Sequence, residues 1–320
     1  MDFQKLAAQL IKARRGAKTQ KETSKALGYQ SNVVFAWENG RDEPSARAFF
    51  SLAALTGEVG DLSSFYRGNS CPNLTTSEGL SEFLKDLLAS RTLAEVSGQM
   101  ARDRHVVGRW VRGQTEIPLS SLLQFVDVTT LGLFDFLHAF VDPSALAEAE
   151  NDYRLLEASR ESARQLPWSN AIVHMVALPS YSRLKKHESG WFASRLDISV
   201  EEEKECLDLL VSLGQLRVKA GAYQSTRTIN VDTRRDPQAT RDLASFWMKE
   251  GASRVLTPGS GRFSFNTFAV SANDLEKAKA LQSEYFRQLR ELVADSEPAE
   301  TVAVATFQLF ALFEEPNTQK

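Results

Sequence analysis

The chain has 320 residues, 42% of them hydrophobic and 25% charged, and a formal net charge of −3. That length and composition suit two or three globular domains with real cores. They exclude a basic coat that would clamp nucleic acid non-specifically over much of the surface.

The first recognisable element begins at Thr19. Thr19 with Glu22 makes a capping box, so a helix is expected to start there. Thr23, Ala26 and Leu27 continue it at helical spacing, and Gly28 stands where a helix end needs a left-handed residue. A second helix is expected from about Gln30 to Asn39, with Val33, Val34 and Trp37 on one face and Gln30, Ser31, Asn32 and Phe35 largely off it. Asn39-Gly40 closes it, and Pro44-Ser45 opens another through Phe49, Leu52 and Leu55. Two short helices of this kind, the second polar at its start, suit the major groove of DNA.

The same pattern recurs downstream. Thr19, Glu22, Ser24, Val33, Val34, Trp37 and Gly40 return as Thr92, Glu95, Ser97, Val106, Val107, Trp110 and Gly113, all at one offset of 73 residues. Pro44 and Pro118 lie one residue further apart, which fits a single insertion. Self-similarity at fixed spacing marks a repeated structural unit. Leu119, Leu122, Leu123 and Val126 continue the second copy, and Leu131, Phe134, Leu137 and Phe140 extend its helical core.

With Thr19-Gln20, Leu27-Gly28 and Trp37-Glu38-Asn39-Gly40 in place, residues 3–66 resemble the XRE (Cro/CI-type) helix-turn-helix of phage repressors and bacterial regulators. The resemblance implies that Gln20 contacts a phosphate and braces the recognition helix. It implies that Gln30, Ser31 and Asn32, with Phe35 beside them, approach base edges, and that Arg41 sits on the backbone. The chemistry is compatible: Gln and Asn can pair bidentately with adenine, and Arg41 adds charge without sequence information. The second copy departs from the pattern, with Leu93, Ala101 and Val111-Arg112 for Gln20, Gly28 and Glu38-Asn39. Its reading helix would carry Arg102, Arg104, His105, Arg109 and Arg112. Arginine reads guanine and clamps phosphate equally well. Contact with DNA, a solvated face on a degenerate repeat and a protein-binding face all stay open for this copy. Lys12, Arg14, Arg15, Lys18, Lys21 and Lys25 add charge around the first copy, and acidic groups gather later, at Glu201–Glu203 and Glu314-Glu315, so a basic head on a neutral or acidic body is expected.

Beyond Asp142-Pro143, a helix rich in Ala, Glu, Arg and Leu is expected from Leu146 to about Leu166, either as a connector or dimer helix or packed on its own body. Residues 167–232 then read as a winged helix. Helices are expected at Trp168–Leu178 and Trp191–Leu196. Ser199 and Glu202 cap a third helix that Gly214 stops. A hairpin follows, Gln215–Lys219 with Tyr223–Val231. The third helix carries Glu201, Glu202, Glu203, Glu205 and Asp208, so it reads as a structural or protein-binding element. The last part should be a helix at Leu243–Gly251, a strand at Arg262–Val270, a long helix at Leu275–Ala294 with Leu281, Tyr285, Leu289 and Leu292 buried, and a closing strand at Thr301–Phe313. Such a strand–helix–strand can cross over in one chain or pair across a dimer. On Glu203, Leu207, Leu210 and Gly214, Arg262 with Ser264, and Gln308-Leu309-Phe310, the half from Trp168 onward resembles a bacterial family known only as a carboxy-terminal domain of unknown function behind a helix-turn-helix.

The expected fold is thus mainly α with a small β content: tandem five-helix lambda-repressor-like helix-turn-helix domains, then a winged-helix-like module and a small α/β C-terminal element. The expected domains are 1–68 (DNA-binding), 78–142 (second, degenerate helix-turn-helix), 144–166 (connector helix) and 167–320 (regulation or dimerisation), with a polar linker over Gly68–Ser77. Enzymatic function is not expected, because no nucleophile triad, phosphate loop or paired His-Glu spacing occurs. Pro258-Gly259-Ser260-Gly261 reads as a loop, and Trp168, Tyr181, Trp191, Phe246 and Trp247 as core rather than a ligand pocket. Two cysteines and four scattered histidines supply neither a disulfide framework nor a metal site, so no cofactor or metal is expected. Apolar runs fall short of a membrane span, and the start of the chain is unlike a signal peptide. The expectation is a cytoplasmic, homodimeric transcription regulator on double-stranded DNA, with an unknown effector or protein partner. The alternative is a protein-interaction adaptor whose repeats do not touch DNA.

Overall fold

In the computed structural model, which describes residues 1–66, 71–88, 91–226, 237–257, 259, 261–294 and 296–313, four side-chain caps start the first four helices. Asp2 accepts from the amides of Gln4 and Lys5 and starts α1 (Phe3–Arg15). Thr19 and Glu22 form the expected capping box on α2 (Gln20–Ala26). Asn32 starts α3 (Val33–Glu38), and Ser45 starts α4 (Ala46–Thr56). Each cap satisfies an amide that the first turn leaves without an internal partner. Leu6, Leu10 and Ile11 from α1, Val34 and Trp37 from α3, and Phe49 and Leu52 from α4 are buried together.

The second copy repeats this order as α5 (Ser77–Leu88), α6 (Leu93–Gln99), α7 (Arg104–Val111) and α8 (Leu119–Thr130), followed by α9 (Leu133–His138). Thr92 and Glu95 form the same capping box, so α6 lies 73 residues after α2 at both ends. Two details depart from expectation. Leu131 ends α8 in a left-handed conformation and is exposed, so it does not extend the core. Ala101 replaces Gly28 and keeps its positive φ, 50° against 86°. An L-residue pays for that conformation whereas glycine does not. Ala101→Gly should therefore stabilise the N-terminal unit by about 1 kcal/mol, and Gly28→Ala should cost a similar amount. Nothing lies near a Cβ built on Gly28, so the effect is conformational. Urea unfolding of the full chain measures both; a destabilising Ala101→Gly would refute the argument.

The two copies pair at equivalent positions. Ser45 and Pro118, 73 residues apart, form an antiparallel bridge, with Ala46 N–H donating to Ile117 C=O (2.9 Å) and Leu119 N–H to Pro44 C=O (2.8 Å). Beside it, Glu43 accepts from the Ser120 amide while Glu116 pairs with Arg47, and 43/116 and 47/120 are again equivalent pairs. Locally the copies thus meet as the halves of an isologous dimer do. The relation is not carried throughout, because α1 also packs along α8. One continuous core joins the copies, in which Phe49 meets Phe140 (ring centroids 4.9 Å apart) and Phe136 meets Phe65 (5.7 Å). Arg14 ties α1 into it by donating to the carbonyls of Ala53, Gly57, Glu58 and Phe140.

The chain divides into two compact units, residues 1–154 and 155–320, with the boundary inside α10 (Glu150–Gln165). The second half of α10 packs on its own unit: Ser159 and Ser162 meet the buried Gln215, whose amide also donates to Ala158 C=O. Next come α11 (Ser169–Met175), α12 (Pro179–Ser182), α13 (Ala193–Leu196) and α14 (Val200–Ser212), then the hairpin β1 (Leu216–Lys219) and β2 (Ala222–Ser225), in register Leu216 opposite Ser225. The expected strand residues 227–231 lie outside the described residues, as do Gly68 to Ser70, Pro258, Ser260, Glu314 and Glu315. The core here is Ile172, Val176, Tyr181, Phe192, Cys206, Leu207 and Leu210. Burial, and then the nearby Glu205 and Glu203, push the Cys206 thiol up to about 12, so it is inert packing.

One acidic residue of α14 is not on its outer face as expected. Glu203 is buried, accepts from the amides of Gly190 (2.9 Å) and Ala193 (2.5 Å), and faces His187 Nε2 at 3.1 Å. His187 Nδ1 in turn meets the Tyr181 hydroxyl at 3.3 Å. A buried carboxylate of this kind persists only with its partners in place.

The end of the chain departs furthest. α15 (Pro237–Val255) and α16 (Ala272–Ala294) form, longer than expected, with Ser271 capping α16. Residues 262–270 and 301–313 make no strand; among the described residues the hairpin is the only sheet. The expected buried stripe of α16 is largely open, with Leu281, Tyr285 and Leu292 exposed. Among the described residues no helix is long and apolar enough to cross a membrane.

Candidate nucleic-acid interface

α2 and α3 are joined by a turn whose geometry is fixed by one serine. Ser24 is buried; its hydroxyl has one proton to give, with Gln20 C=O at 2.8 Å and Asn32 Oδ1 at 3.2 Å as its acceptors, and it accepts from Val34 N–H (3.1 Å). Trp37 closes the inner face and takes the edge of Tyr29 at 5.5 Å.

α3 starts at Val33, later than the expected Gln30. Gln30 and Ser31 lie in the exposed turn, and Asn32 caps the helix with Oδ1 on Phe35 N–H. The Asn32 carbonyl oxygen is therefore committed to the fold, because a cap oxygen cannot also serve as the acceptor half of a bidentate base contact. Phe35 projects from α3 with the Arg41 guanidinium over its ring at 5.1 Å. Gln20 does brace the end of α3: its amide donates to Glu38 Oε2 (2.5 Å), and Glu38 also pairs with Arg15 (2.6 Å). The Arg15 and Glu38 side chains are only 15% and 5% exposed. Arg14 and Arg15, expected to add charge to the head, are thus spent on internal partners.

The second copy is arranged differently. Asp103 accepts from the amides of His105 and Val106, so α7 starts at Arg104. By the repeat offset, α3 would have started at Ser31; α7 is longer by two residues at its front, and Arg104 and His105 stand in its first turn. His105, Arg109 and Arg112 recur at i, i+4 and i+7, opposite the buried Val107, Trp110 and Val111, and all three are exposed, as are Arg102 and Arg104. None of these five forms an ion pair among the described residues. Arg104 also sits at a helix N-terminus, where the helix dipole disfavours a cation. The corresponding stripe of the first copy, Asn32, Ala36 and Asn39, is uncharged.

The internal bracing changes in concert. Arg15, Gln20 and Glu38 correspond at the offset of 73 to Leu88, Leu93 and Val111, which pack against or within the apolar core. Both copies keep the capping-box carboxylates below the usual range: Glu22 chiefly through the Thr19 hydroxyl, Glu95 chiefly through the Thr92 amide. Charge is not segregated between the units as expected. Residues 1–154 carry 17 Lys and Arg against 19 Asp and Glu, a net of −2 of the chain's −3. Exposed positive charge is local, gathered at α7 in the second copy and at Lys12, Lys18, Lys21 and Lys25 in the first. Sequence reasoning noted these arginines but ranked α3 first; the signal it passed over was Asp103, a stronger cap than the offset pointed to.

Residues 154–312 match the model of a family described as a domain of unknown function (DUF4423), compatible with the resemblance found for the C-terminal half. No curated protein and no solved structure matches the chain.

Proposed function

We infer that this protein is a sequence-specific, DNA-binding transcription regulator of the cytoplasm, acting as a homodimer. The N-terminal unit would hold two XRE-type helix-turn-helix copies in one core, and the winged-helix-like C-terminal unit would serve dimerisation or the sensing of an effector. The observation that carries the reading is α7: five exposed basic side chains, without acidic partners among the described residues, on and beside one short helix whose other face is packed on the core. Arg109 and Arg112 suit the C-terminal end of α7, but Arg104 at its N-terminus works against the helix dipole, and the fold has no use for Arg102 or His105. Phosphate and guanine are the groups it fits. In this reading α7 supplies charge and guanine contacts, while Gln30, Ser31 and Phe35 at the front of α3 supply softer discrimination. The four acidic residues of α14 that stay off the core would turn phosphate away, so the C-terminal unit takes no part in reading.

A second reading, a protein-interaction adaptor, is favoured by one observation: the net −2 of the N-terminal unit gives no long-range attraction to DNA. Binding of the full chain to genomic fragments, followed by fluorescence anisotropy from 50 to 200 mM salt, separates the two. Sequence-dependent binding whose logarithm falls with log salt at about −0.9 per neutralised phosphate supports the regulator. No binding at the lowest salt sinks it in favour of the adaptor.

A further inference from the structure

Between Val255 and Phe313 the chain leaves large apolar side chains uncovered. Leu256 is 85% exposed, Phe265 96%, Leu281 71%, Leu292 71%, Leu312 77% and Phe313 79%. With an aromatic side chain able to bury about 150–250 Å² and leucine somewhat less, these six alone present roughly 800 Å². The largest apolar patch of a soluble monomer is usually about 300–600 Å². One side of a standard protein interface takes about 800 Å². Summed over these segments, the exposed apolar area is comparable with what one side of a stable dimer covers.

The chain itself points to the occupant. Residues 262–265 and 301–304 alternate apolar with polar or small side chains as strands do, yet among the described residues 262–270 and 301–313 have no ladder partner; Val302 packs on the core of its own unit and Phe307 lies 6.3 Å from Tyr285. A strand needs another strand's N–H and C=O groups. In this unit the hairpin is already paired and the remaining described elements are helices. α16 spans about 34 Å and presents Leu281, Tyr285 and Leu292 at i, i+4 and i+11 on one face. Two unpaired strand-like segments and one apolar helix stripe are what an identical unit would supply in return, and a twofold interface uses the same surface on both sides.

We propose that residues 256–313 form the interface with a second copy of this chain, exchanging their unpaired segments so that 262–270 and 301–313 complete a sheet neither copy makes alone. The interface rests on the homodimer part of the reading above, and its test, made without DNA, stands apart from the nucleic-acid part.

Sedimentation of the full chain without DNA tests it. The wild type should run as a discrete species of about twice 35.6 kDa. Leu281→Glu with Leu292→Glu, and separately Phe265→Glu, should each give a monomer with unchanged helical circular dichroism, because these side chains are already exposed in the single chain. Two variants in different segments keep the test decisive if one fails to fold. Circular dichroism should also show more strand in the wild-type dimer than in either monomeric variant. A monomeric wild type at micromolar concentration, whether or not it captures another protein, overturns the proposal. So does a dimer that survives in a folded variant, or a wild type that forms only heterogeneous aggregates.

Discussion

Glu38→Val alone is expected to cost the N-terminal unit about 3–5 kcal/mol, and adding Arg15→Leu and Gln20→Leu is expected to restore most of that loss. The single change leaves Arg15, 15% exposed, facing an apolar side chain where its carboxylate stood, and strips Gln20 of its acceptor. A part-buried cation that has lost its carboxylate, keeping only the carbonyls of Gly16 and Lys18, and an unsatisfied amide are each costly. The triple change installs the set found 73 residues later, Leu88, Leu93 and Val111, which packs between the three equivalent helices α5, α6 and α7. Replacing a whole buried ion pair by apolar groups is often neutral or stabilising, whereas breaking it is not. Urea unfolding of the full chain reads the three singles and the triple, and their non-additivity is the quantity of interest. A triple variant as unstable as Glu38→Val would mean that the copies are not interchangeable at this site, and the repeat would lose its structural meaning there.

That comparison also shows where the sequence was legible. Capping boxes and Gly40 and Gly113 are local signals, so α2, α6 and the ends of α3 and α7 could be placed from neighbours alone. The front of α3 was expected three residues early, at Gln30, because the local cap, Asn32, decides where its first turn begins; in the second copy the cap is Asp103 and α7 starts at Arg104. Arg15 and Glu38 read as surface charge and a family mark; their pairing joins residues 23 apart, which no local pattern encodes. Glu203 was assigned to an acidic face because its neighbours in sequence are acidic, but helical geometry turns it to the core, where the Gly190 and Ala193 amides meet it. The C-terminal segments show the limit most plainly. Period-two alternation says that a segment could be a strand, but whether it becomes one depends on a partner that periodicity does not name. In the candidate site, the arginines of the second copy were all found in the sequence. What was not visible is that Asn32 and Gln20 are held by the fold, which moves the weight of the reading from α3 to α7.

Changing Arg102, Arg104, Arg109 and Arg112 together to Gln should reduce the chain's affinity for its DNA target at least about 100-fold at physiological salt. Each arginine on a phosphate contributes about 0.9 to the slope of log affinity against log salt, and each on a guanine edge about 1–3 kcal/mol of discrimination. The fold should be untouched, since these side chains are exposed and outside every ion pair among the described residues. Arg109 and Arg112, further along α7, should mainly flatten the salt slope; Arg104, at its N-terminal tip, should mainly relax base preference, because the N-terminal residues of a reading helix approach the groove floor. In the first copy, Gln30→Ala with Ser31→Ala should blur sequence preference and leave the slope alone, whereas Arg41→Ala should weaken binding to all sequences about equally. Asn32 is the wrong residue for this test, because removing its cap costs about 1 kcal/mol of stability and confounds the readout. Titrations of the quadruple variant against target and scrambled duplexes at three salt concentrations distinguish the contributions. Should affinity, slope and preference all survive the loss of four cations, α7 would not be lying against DNA, and its basic stripe would belong to an acidic protein partner instead.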